Sequence, residues 1–364
     1  MKNTFGNNLC VTLFGESHGN SIGAVLDGIA PGIPVDTQNI AKMLEMRKGL
    51  NAISTPRREP DKFEIVSGVF EGKTTGTPLC IIIKNEDTRS ADYSLTKDLA
   101  RPSHADYTAN QKYHGFEDYR GGGHFSARIT APLVALGAII KPALEQKGIF
   151  VGSHILKAAH LSDREFGDIK TDLDLLKTKE FAVLDDETGE KMIEQIKTAK
   201  SKGDSIGGVL ETAVIGCPAG VGEPWFDSVE SMLSHAIFSI PAVKGVEFGL
   251  GFKFGDSKGS IANDCFINQN GKIVTKTNNS GGINGGITNG MPIVFKTAFR
   301  PTPTIAKPQN TINIKTGENT IIEAKGRHDP FVVHRAKVVV DSVTSLVMAD
   351  LLTTRYGTDW LGEK

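Results

Sequence analysis

Five short stretches of this sequence carry residue types able to move protons or hold anions. "FGESHG" (14–19) places Ser17 and His18 in a turn flanked by glycines. Its core fits G-x-S-x-G, the nucleophile elbow of serine hydrolases, which would make Ser17 a nucleophile. That elbow also needs a helix beginning just after the serine. "HGNSIGAVLDGI", with its glycines and β-branched residues, is a poor helix. The hydrolase context therefore fails, and His18 is left either as the chemical group or as a turn residue satisfying hydrogen bonds. "RPSHADYT" gathers Arg101, Ser103, His104 and Asp106, of which Arg101 and His104 could act on an anion as fixed cation and proton donor. "DYRGGGHFSARIT" runs three glycines towards a helix start, where backbone amides and the helix dipole favour negative charge, and adds Ser126 and Arg128. "KGRHDPFVVHR" sets Asp329 beside Arg327 and His328; an aspartate held among cations is a plausible proton acceptor, although such charges also form plain surface pairs. "NNSGGINGGITNG", with glycines at 281, 282, 285, 286 and 290, is consistent with close backbone approach to a flat ligand and equally with hairpin turns.

The inventory is arginines, imidazoles, an aspartate and glycine-rich backbone, without an evident nucleophile. It suits a polyanionic small molecule that undergoes proton transfer and loss of a leaving group. No H-E-x-x-H and no cysteine pairing points to a metal, and neither a Walker sequence nor a dinucleotide fingerprint is present.

The elements that must position these loops are mixed. "LCVTLFG" and "SIGAVLDGI" read as strands joined by the GESHG turn. Residues 36–48 have helical spacing at Ile40, Met43 and Leu44, with Asp36 or Thr37 as N-cap. "KFEIVSGVF" and "PLCIIIKN" are strands across the turn "EGKTTGT". The stretch 84–128 is long, polar and rich in Arg, His, Tyr and Gly, which marks a functional loop region. "TAPLVALGAIIKPALEQKG" is an apolar helix, with Thr130 as N-cap and Pro132 in its first turn. Residues 160–203 read as a solvated helical surface excursion. "GGVLETAVIGCPAGVG" returns to strand, "DSVESMLSHAIFSIPAVKGVEFG" is a capped helix leading into turn and strand, and a helix of about four turns closes the chain. Without regular β-α alternation or a linker, one α+β domain over 1–364 is expected.

The 364 residues with a formal net charge of -1 give no general reason to expect nucleic acid or an anionic membrane as partner, so anion binding must come from local clustering. The four cysteines, Cys10, Cys80, Cys217 and Cys265, are scattered, as expected of thiols in a reducing compartment. No signal peptide and no apolar run of membrane-spanning length is read, so a cytoplasmic protein is expected.

"FGESHG", "RREPD", "SGVFEGKTTGTP", "RPSHADYT", "YRGGG…SAR", "SIPAVKGVEFG" and "GRHDP" resemble, in order and over nearly the whole chain, the signature blocks of chorismate synthases. The resemblance is to the monofunctional form, with no flavin reductase domain. It implies a lyase of the shikimate pathway that converts 5-enolpyruvylshikimate-3-phosphate to chorismate and phosphate by 1,4-anti elimination with reduced FMN, leading to the aromatic amino acids. The flavin lends electron density while the C3–O bond breaks and recovers it as the C6 proton leaves, so the protein's task is positioning and electrostatics. The resemblance assigns His18 to protonate the departing phosphate, His104 to protonate the reduced flavin, and Asp329 to assist proton removal through flavin N5. It assigns Ser17, Arg47, Ser126, Arg128 and Arg327 to the substrate's anionic groups. FMN contacts are implied at His124, Phe125, Ser126, Pro241, Ala242, Gly285, Arg300, Pro301, Thr302, Pro303, Thr304 and Arg327. A homotetramer with a β-α-β sandwich-like core, helices packed between antiparallel sheets, is implied as well. NADPH enters only as an indirect source of reducing equivalents through a separate flavin reductase.

Two stretches depart from the family pattern. His124 and Phe125 stand where an arginine and a serine are usual, and Ile129 where a glutamate is. "EMRKGLNAISTPRRE" has lost the second anchoring arginine near Ala52, leaving Arg47 and Lys48. Weaker or differently arranged phosphate binding is expected from that loss. A serine hydrolase using Ser17, or a flavin- or anion-binding module without turnover, are the alternatives.

Overall fold

The computed structural model describes residues 2–50, 53–54, 60–86, 97–323 and 328–362. The N-terminal part contains β1 (Thr4–Phe5), β2 (Cys10–Gly15), β3 (Ser21–Asp27), α1 (Thr37–Met46), β4 (Phe63–Ser67), the short pair β5 (Val69–Phe70) and β6 (Lys73–Thr74), and β7 (Leu79–Lys84). Then come α2 (Asp106–Tyr113) and α3 (Thr130–Gln146). A second strand-rich part holds β8 (Phe150–Ala158), β9 (Leu161–Ser162), α4 (Ile169–Leu176), α5 (Asp186–Ser201), β10 (Gly208–Ile215), α6 (Val229–Phe238) and β11 (Val243–Phe248). It continues with α7 (Gly259–Ala262), β12 (Phe266–Gln269), β13 (Lys272–Thr275), β14 (Ile283–Asn284), β15 (Ile287–Thr288), β16 (Ile293–Phe299), β17 (Gln309–Ile312) and β18 (Asn319–Ile322), and α8 (Val333–Tyr356) ends the fold.

Two five-stranded antiparallel sheets result, ordered β1-β2-β3-β7-β4 and β11-β16-β10-β8-β9. Between them lie α3 and α8: α3 packs on β3 and β7, α8 on β8 and β10, and the two helices on each other. A helix apolar on every side must be buried on every side, and α3 is buried from Thr130 to Ile140 without a break. Thirteen of its 17 residues are buried, so α3 is a core helix, although the segment Ala127–Gln146 is by length and composition long and apolar enough to cross a membrane. Thr130 is its first helical residue rather than its cap. The cap lies one short 3₁₀ turn upstream, where Ser126 Oγ accepts from the Arg128 N–H.

The closing helix α8 has 24 residues, about 6.7 turns at 3.6 residues per turn, against the four turns expected from sequence. The difference has a physical cause. Polar residues interrupt its apolar pattern, but Ser342, Ser345 and Thr353 are buried with their hydroxyls donating to the carbonyls of Val338, Asp341 and Ala349. Asp350 accepts from the backbone N–H groups of Asn7, Asn8 and Leu9 and so ties the N-terminal strands to α8.

The 160–203 segment is solvated on one face only. Leu173, Leu176, Ala182 and Leu184 form a small apolar cluster, and Met192 and Ile196 join the main core. Beneath it the buried His154 imidazole lies 2.9 Å from Glu211 and 3.4 Å from Asp163.

Candidate active site

The glycine stretch is where the scattered loops meet. Residues 120–125 form a tight turn in which Gly121 has φ 62° and Gly122 φ 107°, values that L side chains seldom adopt. Space explains the glycines as much as torsion does. A Cβ on Gly121 would fall 2.1 Å from His18 Cε1, and one on Gly122 would fall 3.3 Å from His104 Nε2. Two imidazoles more than eighty positions apart in sequence thus rest on consecutive glycines.

The hydrogen bonds fix the orientation of three imidazoles. Ser17 Oγ donates to the Arg120 carbonyl at 3.3 Å, which leaves its lone pairs for His18 Nδ1–H at 3.1 Å. His104 Nδ1 lies 2.7 Å from Asp106 Oδ1, and His124 Nδ1 donates to the Gly15 carbonyl at 2.7 Å. In each ring Nδ1 is engaged. Arg101, which looked like a cation for an anionic ligand, instead grips Asp106 through Nε and Nη2 at 2.8 and 2.7 Å. Burial pushes the Asp106 carboxyl up, but the hydrogen bonds from Arg101 and His104 outweigh it and hold it far below the usual carboxylate range.

A second network lies on the other side of Ser126. Buried Asp61 takes Arg47 Nη2 at 2.9 Å on one oxygen and Arg128 Nη1 on the other. Arg128 also donates to Asn85 Oδ1 at 2.9 Å and to the Lys84 carbonyl at 3.1 Å. Arg335 donates to the Arg47 carbonyl at 3.0 Å and to Asp329 Oδ2 at 2.8 Å, which links the buried Asp329 to the same cluster. Burial raises the Asp61 carboxyl, and the two guanidiniums lower it by more. Burial lowers Arg47, opposed by Asp61, and its Nε has no hydrogen-bond partner among the described residues. Two guanidiniums thus meet on one buried carboxylate.

Between these networks and α3, α6 and α8 opens a cleft of about 510 Å³, within the range of about 300–1,000 Å³ usual for ligand sites. Its walls are apolar, from residues such as Leu133, Ile240, Leu346 and Val347. Its polar lining includes Lys2, Lys244, Arg300, His104, His124 and His235, and no carboxylate is among the described residues that line it. Burial lowers the Arg300 guanidinium, and no carboxylate pairs with it among the described residues. Ser103, Asp61 and Ala242, at or beside the cleft and its neighbouring network, hold positive φ of 58°, 46° and 75°.

Of the residues read from sequence, His104, His124, Phe125, Ser126, Pro241, Ala242 and Arg300 line this cleft. Ser17 and His18 are buried beneath the glycine turn, and Arg47, Arg128 and Asp329 belong to the Asp61 network. Gly285 is exposed in the β14–β15 hairpin and is not among the cleft residues. Of 301–304, which are not among them either, Thr302 is held by Ser205 Oγ donating to its carbonyl at 2.7 Å. Arg327 and Ala52 lie outside the described residues. Asp61, Asn85 and Arg335 were not singled out as site residues, and Asp106 was named beside His104 without a role of its own. Only Asp61, closing "RREPD" behind two arginines, and Asp106, two places after His104, stood near a visible signal.

The nucleophile-elbow reading of Ser17 fails on structure, since the chain after it enters β3 and not a helix, and its hydroxyl proton goes to a carbonyl. Among the described residues, no group of three or more His, Cys, Asp or Glu is arranged to hold a metal ion.

Fold and cleft together define the class, an α+β enzyme. A family model described as chorismate synthase matches residues 9–353. A chorismate synthase of Pyrococcus abyssi is 46% identical over 350 residues, spanning 96% of this chain and 97% of that relative. One of Parabacteroides distasonis is 46% identical over 352 residues, with 96% and 97% covered. A solved structure, "Crystal Structure of Chorismate Synthase", aligns with a TM-score of 0.76 at 30% identity over 97% of this chain and 94% of the other. The chain belongs to the chorismate synthase family, lyases of the shikimate pathway that need reduced flavin.

Proposed function

We propose that the whole chain, 1–364, acts as one catalytic unit that converts 5-enolpyruvylshikimate-3-phosphate to chorismate and phosphate by 1,4-anti elimination, with reduced FMN in the 510 Å³ cleft. The observation that carries the reading is the lining: among the described residues, three cations, three imidazoles and no carboxylate, on apolar walls, in a chain of net charge -1. The residues fit the cofactor. Leu133, Ile240, Leu346 and Val347 offer an apolar bed for a flat ring system, and Arg300 offers a phosphate an unpaired charge. When bound, reduced FMN supplies electron density to the substrate ring as the leaving group departs.

The chain's own groups do the rest. Ser17 holds His18 with Nδ1–H engaged, so that Nε2 delivers a proton to the departing phosphate. His104 Nε2 is aimed past Gly122 at the cleft as the second proton donor. Arg47, Arg128 and Ser126, with Arg327, hold the substrate's anionic groups. Asp329, kept in place by Arg335, assists proton removal. Cofactor contacts fall on His124, Phe125, Ser126, Pro241, Ala242 and Arg300, and further ones on Gly285, Pro301, Thr302, Pro303, Thr304 and Arg327.

The chain works in the cytoplasm as a homotetramer with a separate, NADPH-consuming flavin reductase, and without nucleic acid or membrane. Assembly is supported by large apolar side chains left in water, among them Phe226 at 90% and Phe252 at 88% exposure.

The test is an anaerobic assay for phosphate and chorismate with reduced FMN, run beside His18→Ala. The variant is expected to lose about 10²–10⁴-fold in turnover, the usual worth of a general acid. Unchanged turnover removes His18 from this role, and no chorismate from the unmodified chain overturns the reading.

A further inference from the structure

Asp106 is the carboxylate most heavily engaged beside the cleft, and the family resemblance gives it no role. Arg101 approaches it three times: its backbone N–H donates to Oδ2 at 2.9 Å, Nε to the same oxygen at 2.8 Å, and Nη2 to Oδ1 at 2.7 Å. A guanidinium fork on a carboxylate fixes the plane of both groups. The oxygen that takes Nη2 also faces His104 Nδ1 at 2.7 Å. His104 is further held by its own N–H donating to the Arg101 carbonyl at 3.0 Å, with Ser103 between them in the left-handed region at φ 58°. A residue other than glycine adopts that conformation when its surroundings over-determine it. The other two rings differ: Nδ1 of His18 faces a serine hydroxyl and Nδ1 of His124 a carbonyl, whereas Nδ1 of His104 faces a carboxylate.

We propose that Asp106, locked by Arg101, is a positioning residue that keeps the proton of His104 on Nδ1 and presents Nε2 to the cleft. This deepens the lyase reading and rests on it. A carboxylate can only accept here, so it selects the Nδ1–H ring and prevents the ring from turning over. An amide in its place would offer an N–H to Nδ1 and confine the single ring proton to Nε2, which could then not give it up without leaving an anionic ring, whereas a ring held as Nδ1–H can take up and release a proton at Nε2.

The test is Asp106→Asn, read first without flavin or substrate by 15N NMR of the histidine rings, with the His104 signals assigned from their loss in His104→Gln. The intact protein is expected to show a protonated Nδ1 at His104, and Asp106→Asn an unprotonated one. Anaerobic turnover with reduced FMN is expected to fall by about 10²-fold or more in kcat, with KM for the substrate changed less than about threefold. Asp106→Glu should recover part of the loss, and Asp106→Asn should add nothing in a His104→Ala background. Unchanged ring signals, or a full additional loss in the His104→Ala background, overturn the proposal. If Asp106→Asn does not fold, Asp106→Ala, which removes the acceptor from Nδ1, is read by the same NMR signals: loss of the Nδ1 proton preference supports the proposal, and an unchanged Nδ1–H ring overturns it. Absence of turnover in the unmodified chain would defeat the lyase reading, while the NMR result would still decide the role of Asp106.

Discussion

Replacing Gly121 with alanine drives a methyl group into His18. The new Cβ would stand 2.1 Å from His18 Cε1 and 2.3 Å from Nδ1, whereas ordinary contact begins near 3.4 Å. The ring must therefore retreat by 3.4 − 2.1 = 1.3 Å, or the loop must move by as much. Backbone at φ 62° adds about 1–2 kcal/mol for a residue with a Cβ, and overpacking about 1–3 kcal/mol, so stability falls by roughly 2–5 kcal/mol. Displacing a reacting group by about 1 Å costs on the order of 10²-fold in rate. The assay is anaerobic phosphate release with reduced FMN, beside a thermal melt. Gly122→Ala is the control: its backbone is strained too, but its Cβ meets His104 at 3.3 Å and demands only a tenth of an ångström. Gly121→Ala should lose about 10²-fold in kcat and Gly122→Ala far less, with the larger melting loss in Gly121→Ala, which carries the overpacking as well as the strain. Equal kcat in the two variants would refute the claim that the first glycine exists to seat His18.

Arg300→Ala removes an unpaired cation from the cleft and should weaken FMN binding by about 10- to 100-fold in a flavin-fluorescence titration, the worth of about 1.5–3 kcal/mol for a charged hydrogen bond. Asp61→Asn leaves two buried guanidiniums without their shared charge and should cost about 3–5 kcal/mol in urea unfolding. The folded Asp61 carboxyl titrates below its unfolded value of about 3.9, so its stabilising contribution is present above that pH and is lost as pH falls through the folded value. Melting of the unmodified protein should decline steeply below about pH 4, and that of Asp61→Asn less so. His154 is the opposite case. Burial lowers it, Asp163 and Glu211 raise it by more, and the charged groups facing this cluster are Arg164, Glu165, Asp172 and Lys296. Its contribution is complete below the unfolded value of about 6.5 and is lost as pH rises through the raised one, so His154→Gln should flatten the fall in melting temperature on the alkaline side.

The parts legible in the sequence are those set by local pattern. β2, the GESHG turn and β3 follow from apolar stretches broken by glycine, and α3 from an unbroken apolar helix. The triple glycine was readable as a place of close approach, although what approaches it, His18 and His104, is a matter of tertiary structure. Charge partners were not legible. Arg101 and Asp106 are five apart, and nothing in their spacing says that the guanidinium turns inward to the carboxylate instead of outward to a ligand. Asp61 and Arg128 are 67 apart, and Arg335 reaches Arg47 across 288 positions. The length of α8 was hidden because buried serines and threonines that bond to their own helix look, in sequence, like surface residues.

The convergence of these loops on one flavin site is tested most directly by a crystal structure of the chain with FMN and substrate. The flavin should occupy the cleft bounded by His104, His124, Ser126, Pro241, Ala242 and Arg300, with the substrate between it and His18. A flavin seated elsewhere on the chain, with that cleft left to solvent, would contradict the assignment.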